Sequence, residues 1–319
     1  MESKQLRIVY MGTPDFAVPS LRALEGMDEV EIVGVFTQPD RPVGRGHKLE
    51  MPPVKREALE NGLNVFQFER VRKQEGLDAM RALKPDLVVT AAFGQILSKK
   101  LLEVPRMGTV NVHASLLPRH RGAAPINWCL IQGEKVTGVT TMLTDAGLDT
   151  GDMLLKKEVE IGENETAGEL TERLAQVGAE LLAETIRRYA AGEIAPVKQN
   201  EAEMTYEPLL TKELGRIDWM QDARTIANLV RGVNPWPGAY TAVDGGVLKI
   251  WLARPADAET DQKPGTVFRA SAKEGMFVAC GNGTVLEIVE MQAPNAKRMN
   301  AKTYLSGRKI EIGTRFGEE

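Results

Sequence analysis

The chain has 319 residues, 43% of them hydrophobic and 26% charged, with a formal net charge of -4. That length suits two compact domains better than one core. The balance is that of a soluble globular protein and does not advertise a nucleic-acid binder, although a local basic face can act inside an acidic chain.

Taken in chain order, Leu6 to Met11 is an apolar run ending at Gly12-Thr13-Pro14-Asp15, and Phe16 to Leu24 is helix-like. Val30 to Phe36 reads as a second strand, Val54 to Asn61 as a helix and Leu63 to Phe68 as a third strand. Arg72 to Leu83 is helical in pattern, while Asp86 to Ala91 and Thr109 to His113 are strand-like. Strands alternating with helices predict an α/β, Rossmann-like N-terminal domain with a mostly parallel sheet, whose chemistry falls at the carboxyl ends of its strands. Ala167, Leu170, Leu174, Val177, Leu181 and Leu182 lie at helical spacing within Thr166 to Ala190, which predicts a helix packed on that sheet.

The pattern then changes. Gly192 to Pro208 is polar and without strong periodicity, and reads as a linker. Residues 1–191 are therefore expected as a first domain, 192–208 as the linker and 209–319 as a second domain. A helical piece at Ala223 to Val233 precedes short strands at Ala239–Val243, Val247–Ala253, Thr266–Ala270, Met276–Ala279 and Val285–Met291. Asp244-Gly245-Gly246 is a good hairpin turn. The series predicts a small barrel of the OB-like type. Trp236, in Asn234-Pro235-Trp236-Pro237-Gly238, is expected as a packing anchor at the domain boundary.

Asn111 and His113 stand two residues apart on a strand, so an amide and an imidazole share one face while Val110 and Val112 take the other. Asp149 sits on a loop between Gly147 and Gly151. If its carboxylate reaches the ring, the three can bind an oxyanion, move a proton and orient the proton carrier. Two readings of these residues stay open: this centre, or a hydrogen-bonded strand histidine beside an ordinary turn aspartate. Ser115 has no GxSxG context, so attack by an external nucleophile is the economical chemistry. The chain has three scattered histidines and neither HExxH nor paired cysteines, so no metal site is expected. Gly12-Thr13-Pro14-Asp15 is not GxGxxG, and no P-loop is present. Cys129 and Cys280 read as free, buried thiols of a reducing compartment. No stretch has the length and apolarity of a membrane span. The polar start Met1–Gln5 runs into a strand without a secretory signal, so a cytoplasmic protein is expected.

Thr37 to Lys48 is a long polar insertion in which Arg41, Arg45 and Lys48 are opposed only by Asp40. Connections of this length are often functional; a solvated loop and a contact for a phosphate-rich partner are both open. Lys297, Arg298, Lys302, Arg308, Lys309 and Arg315 form a second basic stretch, readable as a solvated helix face or as part of the same contact.

Six segments carry a resemblance to a known family: MGTPDF at Met11–Phe16, TQPDRPVGRG at Thr37–Gly46, AAFGQIL at Ala91–Leu97, NVHASLLPRHRGAAPI at Asn111–Ile126, DAGLDTGDM at Asp145–Met153 and NPWPGA at Asn234–Ala239. With these the chain resembles the methionyl-tRNA formyltransferases over nearly its whole length. The Asn-x-His…Asp set alone is shared with other folate-dependent formyl transferases and hydrolases; the TQPDRPVGRG insertion and the second domain narrow it. The resemblance implies transfer of the formyl group of 10-formyltetrahydrofolate to the α-amino group of methionine on initiator methionyl-tRNA. It implies catalysis by Asn111, His113 and Asp149, and a folate site at Ser115, Leu116, Leu117 and Pro118. It makes the Arg45 loop a wedge against the tRNA acceptor end, with Arg41, Lys48, Lys297, Arg298 and Arg308 as further tRNA contacts. A monomer is expected.

Overall fold

The structure, a computed structural model, describes residues 5–43, 48–244 and 246–317. Arg45, expected to touch tRNA, and Gly245, of the expected hairpin turn, lie outside the described residues. The chain forms two compact units, and the division is not one cut. The first comprises residues up to Gly122 with Val136–Glu160 and Thr171–Tyr206; the second comprises Ala123–Lys135, Ile161–Leu170 and the chain from Glu207 onward.

In the first unit the strands are β1 (Leu6–Gly12), β2 (Val30–Thr37), β3 (Arg41–Val43), β4 (Lys48–Glu50), β5 (Val65–Gln67), β6 (Leu87–Ala91), β7 (Thr109–His113), the two-residue β8 (Arg121–Gly122), β9 (Val136–Leu143) and β10 (Met153–Glu160). Seven of them build one sheet in the order β10-β9-β7-β6-β1-β2-β5. β5, β2, β1, β6 and β7 run parallel, and β9 and β10 close the far edge antiparallel. The parallel core is thus the expected Rossmann-like arrangement, with the chain leaving β1 in one direction and returning on its other side at β6. The antiparallel β9–β10 edge has no counterpart in the sequence reading. Val136–Leu143 carries four threonine or glycine positions in eight, which hides its strand character.

Helices α1 (Val18–Glu25), α2 (Pro53–Glu60), α3 (Gln74–Leu83) and α4 (Lys99–Leu102) belong to this unit, as does α6 (Ala167–Ala190) from Thr171 onward. Both faces of a parallel sheet must be covered, and α6 shows how closely. A Cβ on Gly178 would stand 2.9 Å from Val112 Cγ1, so the small residue lets the helix settle on β7. Leu174, Leu181, Leu182 and Ile186 are buried along α6, each contributing about 1.5–3 kcal/mol by leaving water. The Val110/Val112 face of β7 is therefore consumed by packing, and Asn111 and His113 lie on the other face. Residues 192–206 hold no long element, yet Val197 bridges Met153 and Gln199 is buried.

The second unit holds α5 (Pro125–Ile131), α7 (Ala223–Gly232) and α8 (Ala301–Gly307), with strands β11 (Tyr206–Glu207) from Glu207 onward, β12 (Ala239–Val243), β13 (Gly246–Glu259), β14 (Val267–Ser271), β15 (Gly275–Ala279), β16 (Thr284–Gln292) and β17 (Met299–Asn300). The antiparallel order is β12-β13-β16-β15-β14, with β17 beside β16. The open edge between β14 and β12 is bridged by the chain near its C-terminus. Val267 N–H donates to Thr314 O at 2.9 Å, Phe316 N–H to Gly265 O at 2.9 Å, and Gly317 N–H to Ala242 O at 3.0 Å. Gly265 is required there: at φ +87 its Cβ would lie 2.6 Å from Phe316 O.

α7 is capped by Asp222, whose carboxylate accepts from Thr225 N–H at 2.9 Å and is held below the usual range by that bond. The helix buries Ala223, Ile226, Ala227 and Val230 under the sheet. Trp219 and Phe316 lie in the same core with ring centroids 5.9 Å apart, and Trp219 Nε1 donates to Thr241 Oγ1 at 2.9 Å. Cys129 and Cys280 are both buried and neither is in a disulfide, and burial pushes the Cys280 thiol up to about 12. Trp236 departs from expectation. It is 53% exposed, because Asn234 takes the inward position instead, donating from Nδ2 to Trp251 O at 2.8 Å.

Phe316→Ala removes the ring that fastens the closing segment. A loss of about 3–5 kcal/mol is expected, read as a fall in the urea midpoint of the second unit followed by Trp219 fluorescence, with the first unit's transition unmoved.

Candidate active site

β7 ends at His113 on the carboxyl edge of the parallel strands. Thr90 on β6 and Asn111 on β7 are register partners, and Thr90 Oγ1 donates to Asn111 Oδ1 at 2.8 Å. With its oxygen held, the Asn111 amide presents Nδ2, which has no partner among the described residues. His113 is buried and its Nε2 lies 2.9 Å from His120 O. A carbonyl only accepts, so Nε2 carries a proton there and Nδ1 is the other face of the ring. Nδ1 looks at Asp149 Oδ1 across 3.6 Å. That gap is longer than a hydrogen bond. The His113 and Asp149 side chains are only 7% and 16% exposed, so the charge of Asp149 is felt with little screening.

Asp149 sits on a loop that its own residues build. Asp145 Oδ1 accepts from Gly147 N–H at 2.9 Å and Thr150 Oγ1 at 2.7 Å, and Leu143 N–H donates to Asp152 O at 2.8 Å. Gly151 has no room for a side chain, since a Cβ would lie 1.7 Å from Leu143 O. Gly122 N–H donates to Asp149 Oδ2 at 2.9 Å and fixes the second carboxylate oxygen. Asp149 has φ +54, and Ala92 and His120 have φ +44 and +56. Left-handed non-glycine residues cost of order 1–3 kcal/mol each and gather at functional sites; these three all stand in loops leaving β6, β7 and β9.

The segment expected to hold folate is a tightly built turn. Ser115 Oγ donates to Arg119 O at 2.7 Å, and Thr140 Oγ1 donates to Ser115 O at 2.7 Å. Leu117 and Pro118 are buried, and Leu117 O accepts from Lys156 Nζ. Burial lowers the Lys156 ammonium from its ordinary value, with Glu203 opposing. Leu116 is half-buried against Gly138, whose Cβ would meet it at 2.6 Å. The segment's side chains thus set the shape of the loop after His113, and Ile96 and Leu148, 74% and 55% exposed, are apolar side chains on the loops that follow β6 and β9.

The basic insertion leaves the same edge after β2 as the two-stranded β3–β4 ribbon. Its root is anchored by Asp40, which accepts from Lys55 Nζ at 2.8 and 2.7 Å and from Gln67 Nε2 at 2.8 Å. Arg41 pairs with Glu69 at 2.6 Å, and Lys48 is exposed. In the second unit, Lys297 and Arg308 are exposed. Arg298 pairs with Glu290 and lies 5.0 Å over the Trp251 ring. A groove of about 690 Å³ lies at the amino edge of β6 and β7, among Arg81, Lys84, Lys100, Glu103 and Arg106, and does not include His113. Among the described residues no group of three or more His, Cys, Asp or Glu is arranged for a metal ion, and no helix is long and apolar enough to cross a membrane.

Sequence reasoning missed Thr90, Gly122 and Gln199 as supports of the site. Thr90 had a signal, the one polar residue in LVVTA; Gly122 and Gln199 act through loop geometry that no periodicity announces.

This fold and side-chain set match the family described as Formyl transferase at residues 6–186, and its C-terminal domain at residues 209–309. A methionyl-tRNA formyltransferase of Alkaliphilus oremlandii is 50% identical over 98% of this chain and 100% of its own. One of Trichlorobacter lovleyi is 52% identical over 97% and 96%. The chain belongs to the formyl transferases, and within them to the methionyl-tRNA formyltransferase family. An N-formyltransferase from Helicobacter canadensis, solved with folinic acid and dTDP-3-aminofucose, has the same fold, with a TM-score of 0.67 at 18% identity over 92% of this chain and 100% of that one. HypX from Aquifex aeolicus, solved with tetrahydrofolic acid, gives 0.60 at 18% identity; this chain covers 51% of its length.

Hydrogen bonds from Lys55 and then Gln67 hold Asp40 below the usual carboxylate range. A depressed folded-state value contributes stability above the unfolded value of about 4, lost as pH falls through the folded value. Lys55→Met should therefore lower stability at pH 7 and make little difference near pH 2, with urea unfolding across that range as the measurement.

Proposed function

We propose that this protein transfers the formyl group of 10-formyltetrahydrofolate to the α-amino group of methionine on initiator methionyl-tRNA, giving formylmethionyl-tRNA for translation initiation. The observation that carries the reading is Asp149 facing His113 Nδ1 beside Asn111, in a chain about half identical over its full length to methionyl-tRNA formyltransferases.

The folate supplies the formyl carbon and, in its nitrogen, the leaving group. Asn111 Nδ2, left free by the Thr90 bond to Oδ1, donates to the formyl oxygen as amine attack turns it into an oxyanion. His113 Nε2 is occupied by His120 O, so Nδ1 is the nitrogen that takes the proton of the attacking amine. The imidazolium formed lies against Asp149, whose carboxylate offsets its charge. Nδ1–H then returns the proton to the departing nitrogen as the carbonyl reforms, which closes the cycle without a covalent enzyme intermediate. Ser115 to Pro118 shape the folate side of the site, and holding both substrates together supplies much of the remaining acceleration.

Arg41 and Lys48 on the ribbon, together with Arg45, approach the acceptor end of the tRNA, and Lys297, Arg298 and Arg308 contact its backbone from the second unit. Asn111, His113 and Asp149 meet within the first unit, and the proposed protein works as a monomer in the cytoplasm. The first unit, which takes in most of residues 1–191 together with 192–206, acts as the catalytic domain, and residues 209–319 of the second unit act as the tRNA-binding domain; the segment expected as a linker is thus part of the first unit up to Tyr206.

Formyl transfer to charged initiator tRNA, with charged elongator tRNA as control, tests the reading. Asn111→Ala is expected to slow turnover about 10²–10³-fold, and His113→Ala and Asp149→Asn to slow it at least as much, with folate binding retained by titration. Rates within a few-fold of the parent in all three would sink the assignment. Arg45→Ala should weaken tRNA turnover far more than folate binding, and reduce the salt slope of tRNA binding by about one phosphate contact; equal losses on both substrates argue against a tRNA role for the loop.

A further inference from the structure

We infer that Gln199 is a positioning residue for formyl transfer, holding the Asp149 turn in the conformation that faces His113. The inference rests on the reading of Asn111, His113 and Asp149 just given. Gln199 belongs to no motif and lies in the segment that sequence patterning reads as a linker. It is nevertheless buried, and every hydrogen-bonding position of its amide is used. Nε2 donates to Asp149 O at 2.7 Å and to Gly151 O at 2.8 Å. Oε1 accepts from Arg121 Nε at 3.0 Å and Nη2 at 2.9 Å. The Arg121 guanidinium is itself buried and forks onto Glu201 at 2.7 and 3.1 Å.

Two consecutive residues, Arg121 and Gly122, therefore hold Asp149 at both ends. Gly122 N–H holds the carboxylate, and Arg121, through Gln199, holds the main chain. Asp149 needs both, because φ +54 is a conformation an L-residue leaves when released. Without Gln199 the carbonyls of Asp149 and Gly151 lose their donor, the turn relaxes, and the carboxylate swings from a nitrogen it already meets only at 3.6 Å. A displacement of about 1 Å is enough to cost on the order of 100-fold in rate.

The test is a double-mutant cycle in single-turnover formyl transfer with both substrates saturating. Gln199→Ala is expected to slow the step on the order of 100-fold while folate affinity and the KM for charged initiator tRNA stay near the parent's. In an Asp149→Asn background the same substitution should slow the step by less than about twofold, since its effect runs through Asp149. Gln199→Glu keeps the acceptor for Arg121 but turns an oxygen toward two carbonyls. It should repeat both results, and it carries the comparison if Gln199→Ala loses its cooperative melt. Equal fold-losses in the two backgrounds, or a parental rate in both single variants, overturn the inference. A parental rate in Asp149→Asn alone instead removes the reading of Asp149 beneath it, and is seen before Gln199 is changed.

Discussion

The interaction on which the first unit turns is the approach of one carboxylate to one buried imidazole. His113 alone is a strand histidine satisfied by His120 O, and Asp149 alone is a turn residue. Their juxtaposition, across 3.6 Å with both side chains largely buried, is what gives the proposed proton acceptor a carboxylate beside its charged form. The cost is local: three left-handed non-glycine residues in the surrounding loops, each destabilising by about 1–3 kcal/mol. A sheet covered on both faces can sustain that, because its core residues each contribute comparable amounts.

The covering is asymmetric in a way that serves the site. β7 is flanked by β6 and β9, and α6 lies so close to Val112 that Gly178 has no room for a side chain. The other face carries Asn111 and His113, each oriented by a partner from a neighbouring segment, Thr90 for the amide and His120 for the ring. One face of β7 is taken up by packing, while the orientation of the side chains on the other is set by these partners.

How much of this is legible in the sequence depends on the kind of interaction. Period-two alternation at Asn111 and His113 places them on one face because strand geometry is local, and the parallel core follows from strands alternating with helices. The β9–β10 edge is hidden because threonine and glycine fill Val136–Leu143, with Thr140 and Thr141 turned to hydrogen bonding rather than to a plain apolar core. Trp236 misleads for a different reason: a large aromatic between two prolines reads as a core residue, while the inward place is taken by a polar neighbour that can satisfy Trp251 O. The supports of Asp149 leave no periodic trace, because side-chain bonds to main-chain carbonyls depend on where a loop passes in space.

The same distinction explains the second unit. Its strands alternate visibly, and the small barrel is readable from them, but its closure is not. The segment that joins β14 to β12 is the stretch before Gly317, a basic, glycine-punctuated run whose sequence reads as a solvated face. It pairs through main-chain atoms, which every residue possesses, and is fixed by a single aromatic, Phe316, placed against Trp219. A barrel edge left open there would expose a row of unpaired donors and acceptors. Backbone pairing needs only a chain of the right length in the right place, so the closure depends chiefly on the one ring and on the glycine that admits it, Gly265, while its periodicity stays hidden in the sequence.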